Sequence, residues 1–222
     1  MTDRLHLRLA ALLAAALLSG GCGSDDGGDE TPSQSAAPGC TTVESPEPRE
    51  PAPQQAPSIE LNPDLTHTAV VKTNCGEFTI TLDPDRSPHA VASFATLANA
   101  GYFDDTVFHR IVPGFVIQGG DPTATGTGGP GYTTVDTPAT DTKYTSGIVA
   151  MAKTGAEPRG AAGSQFFVVT GDEVALPPDY AVIGEVTSGL DVVARIGALG
   201  DPTTELPTIT VVVESVKIRR GG

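Results

Sequence analysis

The sequence predicts a mainly β domain: a closed or nearly closed antiparallel barrel with two helices. Many short apolar runs are separated by turn residues, and helical periodicity occurs at only two separate places. One run, Glu77–Leu82, alternates polar and apolar residues strictly, as a half-buried strand does. Strands do not alternate with helices, which excludes a doubly wound parallel sheet. At 222 residues the chain holds one domain plus extras, enough to bury a core without staples.

In chain order, residues 1–21 read as an export signal. Arg4 and Arg8 precede the apolar run Leu9–Leu18, and Ser19, Gly20 and Gly21 lead to Cys22. The run is too short to span a bilayer, which takes about twenty residues. A Cys directly after small residues resembles a bacterial lipobox, although Ser19 stands where that motif usually has Leu. The resemblance implies a diacylglycerol chain on Cys22 and a protein anchored at the outer face of the cell membrane. The alternative is simple secretion, with Cys22 lost or idle.

Residues 22–65 read as a disordered tether. It carries an acidic cluster (Asp25, Asp26, Asp29, Glu30) and eight of the 19 prolines, and cannot bury enough apolar area to order itself. Cys40 in this tether and Cys75 in the first strand region are expected to pair, because leftover thiols in an exported protein usually do.

The folded part is expected over 66–219. Val70–Thr73 and Glu77–Leu82 form a hairpin across Asn74-Cys75-Gly76, with Phe78, Ile80 and Leu82 inward. Ser87-Pro88 reads as a helix cap followed by proline at the first position. Val91, Phe94, Ala95 and Ala98 follow at helical spacing, and Gly101 ends the pattern. Further strands are expected at 114–118, 148–152, 165–170, 180–186 and 208–213, and a short helix around Val192, Val193 and Ile196.

Charge narrows the function. The net charge of −14 argues against nucleic acid as a partner, since phosphate binding needs a cationic face. No spaced His, Cys or carboxylate set suggests a metal. Gly126–Gly131 fits the letter of a dinucleotide fingerprint, but Pro130 and Gly131 disfavour the helix that such a site requires, so a mobile glycine-rich loop and no cofactor are expected. Ser or Cys nucleophiles with a spaced base are missing, and Asp104 and Asp105 are too close together for paired carboxylate catalysis.

The chemistry resides in one block. Phe108-His109-Arg110 is followed by Phe115 and then by Gln118-Gly119-Gly120-Asp121. Gly163-Ser164-Gln165-Phe166-Phe167 and Leu176-Pro177-Pro178-Asp179-Tyr180 come after it, in order, over roughly 150 residues. This pattern resembles the cyclophilin peptidyl-prolyl isomerases. The resemblance implies a flattened eight-stranded antiparallel barrel capped by two helices. It assigns Arg110, Phe115 and Gln118 to catalysis. Val116, Phe167 and Leu176 would line the proline pocket with Phe115, Tyr180 would sit at its rim, and Ala152, Lys153 and Gln165 would meet the peptide backbone.

Taken singly, Phe115 and Phe167 would be core residues, Gln118 and Arg110 solvated strand residues, and His109 a structural residue facing away from Arg110. Three departures from the family pattern stand out. Val116 replaces Met or Leu, Lys153 replaces Asn, and Ala175 replaces the Trp of cyclosporin-sensitive members, which implies weak cyclosporin binding. The expected activity is rotation of X–Pro bonds in exported proteins by a monomer. The alternative is a chaperone or adaptor that grips Pro-containing segments with little turnover.

Overall fold

The computed structural model describes residues 37–58 and 60–221. Cys22 and the export signal lie outside the described residues. Strand β1 (His67–Thr73) and strand β2 (Gly76–Leu82) form the expected hairpin, with Thr73 opposite Gly76 across Asn74 and Cys75. Phe78, Ile80 and Leu82 point into the core. Helix α1 (Pro88–Asn99) follows, with proline in its first turn. Ser87 makes no side-chain cap, contrary to the sequence reading. Asp136 replaces it: its Oδ2 accepts the Ala90 N–H at 2.6 Å and its Oδ1 contacts His89 Nδ1 at 2.7 Å. The helix end thereby gains a carboxylate where its partial positive charge favours one.

Next come β3 (Thr106–Val107), β4 (Arg110–Val112) and β5 (Val116–Gly119), then β6 (Thr134–Val135), β7 (Tyr144–Thr145) and β8 (Ile148–Met151). Strands β9 (Ala161–Ala162), β10 (Phe166–Val169), β11 (Glu173–Val174) and β12 (Val182–Ser188) precede helix α2 (Leu190–Gly197) and strand β13 (Val212–Arg220). The last strand starts later than the expected 208–213 and runs to residue 220, because its antiparallel partner is the whole of β1, His67 through Thr73.

Among the described residues, nine strands form one antiparallel sheet in the order β3-β13-β1-β2-β12-β8-β10-β5-β4. Its two edge strands, β3 and β4, are consecutive in the chain and separated only by Phe108 and His109. The sheet therefore curls until both edges belong to one segment. Taken as one interrupted strand, 106–112 makes the count eight, as the family resemblance implies. The interior is filled by Phe78, Ile80, Phe108, Ile111, Ile117, Met151 and Phe166, with both helices packed on it.

Most strand residues on β8 and β10 are buried on both faces. Val149, Met151, Phe166 and Val168 face the main core, whereas Ile148, Ala150, Phe167 and Val169 belong to a second apolar cluster with Val116 and Tyr144. That second cluster lies on the other face of the sheet and underlies the site.

The later part of the Pro-rich stretch is fastened to the domain. Cys40 is bonded to Cys75. The Thr41 N–H donates to the Asn74 carbonyl at 2.8 Å, Arg49 N–H to Pro122 at 2.9 Å and Gln54 N–H to Pro130 at 2.8 Å. The Cys40–Cys75 bond is the expected pairing; the backbone hydrogen bonds beyond it were not expected, because composition cannot register a neighbour's spare carbonyls.

Candidate active site

Strand register builds the site. Arg110 on β4 is opposite Gln118 on β5, Gln118 is opposite Phe167 on β10, and Phe167 is opposite Ala150 on β8. Residues opposite one another on neighbouring strands share a face, so these four make one row on the outer side of the sheet. The turn before β5, closed by Phe115 N–H to the Val112 carbonyl at 3.0 Å, lifts Phe115 to the same side.

Arg110, Phe115, Val116, Gln118, Ala152, Lys153, Phe167, Leu176 and Tyr180 line a single cleft of about 210 Å³. Of the residues singled out in the sequence for catalysis and substrate binding, only Gln165 is not on its wall. Gln165 stands behind Gln118 and accepts from Gln118 Nε2 at 3.0 Å. The floor is apolar: Val116 and Phe167 are buried, and the Tyr180 ring meets Phe167 edge-on at 5.4 Å. Tyr180 is fixed by a residue that the sequence reading missed. The buried Tyr144 hydroxyl donates to the Tyr180 carbonyl at 2.9 Å and accepts its N–H at 3.0 Å. Burial, offset in part by that backbone hydrogen bond, raises the Tyr144 hydroxyl pKa and keeps it protonated.

Arg110 is held on two edges. Its Nε donates to Glu205 Oε2 at 2.6 Å, and its Nη1 donates to Gln118 Oε1 at a long 3.4 Å. Glu205 was not legible in the sequence: it lies 95 residues further on, in a turn with no motif. Lys153 does not enter as a free cation. Its Nζ donates to the carbonyls of Thr154 and Glu157 and sits 5.7 Å from the centre of the Tyr180 ring.

On the far side of Gln118 a second cleft of about 440 Å³ opens, walled by the glycine-rich loop and by Thr154 and Glu157. The loop is organised by the buried Asp121. Its Oδ2 accepts the N–H groups of Gly126 at 2.7 Å and Gly128 at 3.0 Å, and its Oδ1 accepts the N–H and hydroxyl of Thr123, each at 2.8 Å. Burial alone would push this carboxyl up. The Thr123 hydroxyl and the N–H groups of Gly128, Thr123 and Gly126 outweigh it and hold the pKa below the ordinary range. A side chain at Gly128 would strike the Asp121 carboxylate, which explains a glycine there. Gln165 Nε2 donates to the Gly128 carbonyl at 3.0 Å and so links the loop to the strand row.

His109 lies between β3 and β4, not within a strand, so the alternation argument for its direction does not apply. Its ring abuts the glycine-rich loop near Gly126, and burial lowers its pKa against the raising effect of Asp121. Among the described residues no group of three or more His, Cys, Asp or Glu could hold a metal ion, and no helix is long and apolar enough to cross a membrane.

Known proteins resemble this chain in sequence and fold. Residues 68–218 match the cyclophilin-type peptidyl-prolyl cis-trans isomerase/CLD family. Peptidyl-prolyl cis-trans isomerase B of Bacillus subtilis is 45% identical over 111 residues, covering 50% of this chain and 76% of the relative. Peptidyl-prolyl cis-trans isomerase A of Mycobacterium tuberculosis is 36% identical over 179 residues, covering 72% and 97%. A crystal structure of a cyclophilin-type isomerase from Cryptosporidium parvum superposes with a TM-score of 0.64 at 28% identity, covering 71% of this chain and 99% of that one. A second structure of that enzyme, in the presence of the dipeptide Ala-Pro, gives a TM-score of 0.62 at 29% identity, covering 68% and 98%. With the family match over residues 68–218 and relatives covered almost end to end, the chain belongs to the cyclophilin-type peptidyl-prolyl cis-trans isomerases.

Proposed function

We propose that this chain is a peptidyl-prolyl cis-trans isomerase whose catalytic cation is Arg110 and whose proline ring pocket is the cleft over Val116 and Phe167. The observation that carries the reading is that one small cleft with an apolar floor brings a fixed guanidinium together with Phe115, Phe167, Leu176 and Tyr180.

Rotation of an X–Pro bond meets a barrier of roughly 20 kcal/mol from amide resonance. No covalent bond forms or breaks, so no nucleophile is needed. A gain of about 10⁵ in rate requires the barrier to fall by about 7 kcal/mol. Two parts of the cleft act in that direction. The apolar floor strips water from the amide and disfavours its charge-separated planar form. Arg110 then donates to the substrate as the prolyl nitrogen becomes pyramidal and gains a lone pair, an interaction stronger in the twisted state than in the planar one. Gln118 and Gln165 continue the polar row, and the Ala152 N–H donates to the Gln165 carbonyl at 2.8 Å, which fixes the edge beside the peptide path.

The clients proposed are exported polypeptides that wait on proline isomerisation to fold. The reading takes the protein as a monomer held at the outer face of the cell membrane through a lipid on Cys22. It is supported by the leader pattern before Cys22 and by the Cys40–Cys75 bond, since disulfides persist in oxidising compartments. A protease-coupled assay on an Ala-Pro peptide tests the catalytic reading. Arg110→Ala is expected to lower kcat/KM by about 10²–10³, the usual loss for a transition-state hydrogen-bond donor. Equal rates for the two proteins would remove Arg110 from catalysis. Tight peptide binding with no turnover by the wild type would favour the chaperone reading.

A further inference from the structure

The turn that follows helix α2 carries a residue that points at the catalytic cation. Glu205 Oε2 lies 2.6 Å from Arg110 Nε, a short charge-assisted hydrogen bond, whereas Gln118 reaches Arg110 Nη1 only at 3.4 Å. A guanidinium on a long flexible stem needs two restraints to fix its plane, and the shorter of these two comes from Glu205.

The backbone of the turn is built to present that carboxylate. Glu205 has φ of +60°, the left-handed region that side chains other than Gly, Asn and Asp seldom occupy. Its carbonyl accepts the N–H of Ile111, the residue after Arg110, at 2.8 Å, and its own N–H donates to the Asp201 carbonyl at 2.8 Å. The Asp201 carboxylate in turn accepts the N–H groups of Thr203 and Thr204, each at 2.8 Å. The turn is thus joined to strand β4 beside Arg110 itself.

Folding stability does not account for the pair. The Arg110 side chain is 34% exposed and that of Glu205 45%, and ion pairs so open to water add little to stability. We propose that Glu205 is a positioning residue for the isomerase reaction: it occupies the Nε–H edge of Arg110 and sets the guanidinium plane, leaving Nη2, which has no protein partner among the described residues, free to donate to the twisting prolyl group. This rests on the reading of Arg110 as the catalytic cation.

The test measures kcat and KM separately on an Ala-Pro peptide for Glu205→Ala, Glu205→Gln, Leu206→Ala and Arg110→Ala in the full chain, with Tm and the ¹H–¹⁵N signal of Arg110 Nε. Glu205→Ala is expected to lower kcat about tenfold with KM within about twofold, to leave Tm near the wild type, and to move the Arg110 Nε–H signal towards that of a water-exposed arginine. Glu205→Gln keeps an acceptor oxygen and is expected to recover at least half of kcat. Leu206, 57% exposed in the same turn, is expected to be replaceable without loss. Wild-type kcat in Glu205→Ala, no recovery in Glu205→Gln, or an equal loss in Leu206→Ala would each overturn the inference. A crippled Arg110→Ala beside a normal Glu205→Ala defeats this inference alone, whereas a fully active Arg110→Ala defeats the reading beneath it as well.

Discussion

On one side of Gln118 the groove is walled by strands β4, β5 and β10. On the other it is walled by residues 126–133, which form no strand until β6 begins at Thr134. In the first wall, position follows from backbone pairing: once Arg110 is opposite Gln118 and Gln118 opposite Phe167, their side chains must share a face. In the second wall the backbone has no ladder. Its shape depends on polar contacts: the buried Asp121 carboxylate, the Gln165 amide, the Ser93–Tyr132 hydroxyl pair and the Gln54 N–H on the Pro130 carbonyl. The contrast teaches that the same groove has a wall stabilised by many small packing terms and a wall stabilised by few polar ones. The two should respond differently to truncation and to acid.

The largest expected effect is on the strand wall. Phe167→Ala removes a buried ring from the second apolar cluster and should cost about 3–5 kcal/mol in chemical unfolding, along with much of the proline affinity. A loss under about 1 kcal/mol would mean that this wall is not held by packing. Next is Asp121→Asn. The amide would set a donor against the N–H groups of Gly126 and Gly128, at a cost of about 1–3 kcal/mol. Its effect should fall on peptide KM more than on kcat, since Arg110 is untouched.

The pH dependence of this difference has a defined sign. The Asp121 pKa is depressed on folding, so its contribution is present above the ordinary carboxylate range near pH 4 and is lost as pH falls through the folded value. The wild type should therefore lose its advantage over Asp121→Asn in acid, and an advantage unchanged from pH 7 to pH 2 would contradict the loop's dependence on that charge. The smallest effect is beyond that loop, where Asp136 follows β6 and meets His89 on α1. The hydrogen bond that Asp136 Oδ1 accepts from His89 Nδ1, helped by the carboxylate's charge, raises the His89 pKa. That contribution is present below about pH 6.5 and lost as pH rises through the folded value. His89→Gln should flatten this slope in thermal melts, by tenths of a kcal/mol at such an open site. A slope identical to the wild type would mean that the His89–Asp136 contact adds nothing to stability.

How much of this could be read in the sequence follows the same division. The β1–β2 hairpin and helix α1 were legible because local periodicity encodes them. Arg110, Phe115, Gln118 and Phe167 were legible through a motif whose spacing reflects strand register. Glu205, Tyr144 and Asp136 were not. Each acts on a partner more than thirty residues away, and nothing in the flanking residues distinguishes such a carboxylate or hydroxyl from a solvated one. Ser87 shows the converse: a good local signal for a helix cap lost to a distant carboxylate. The place of the glycine-rich loop as a groove wall depends on Asp121 and appears only in three dimensions.

The closure of the sheet within the segment 106–112 has a consequence for the company this protein keeps. An enzyme that meets unfolded chains presents a hazard if its own sheet ends in unpaired backbone, because sticky polypeptides add to such borders as extra strands. Here the two borders meet, and the amide of Ile111 is already engaged by the turn at Glu205 and that of Phe108 by Val211. Those two amides of the seam are therefore not free to take up a passing polypeptide as an added strand.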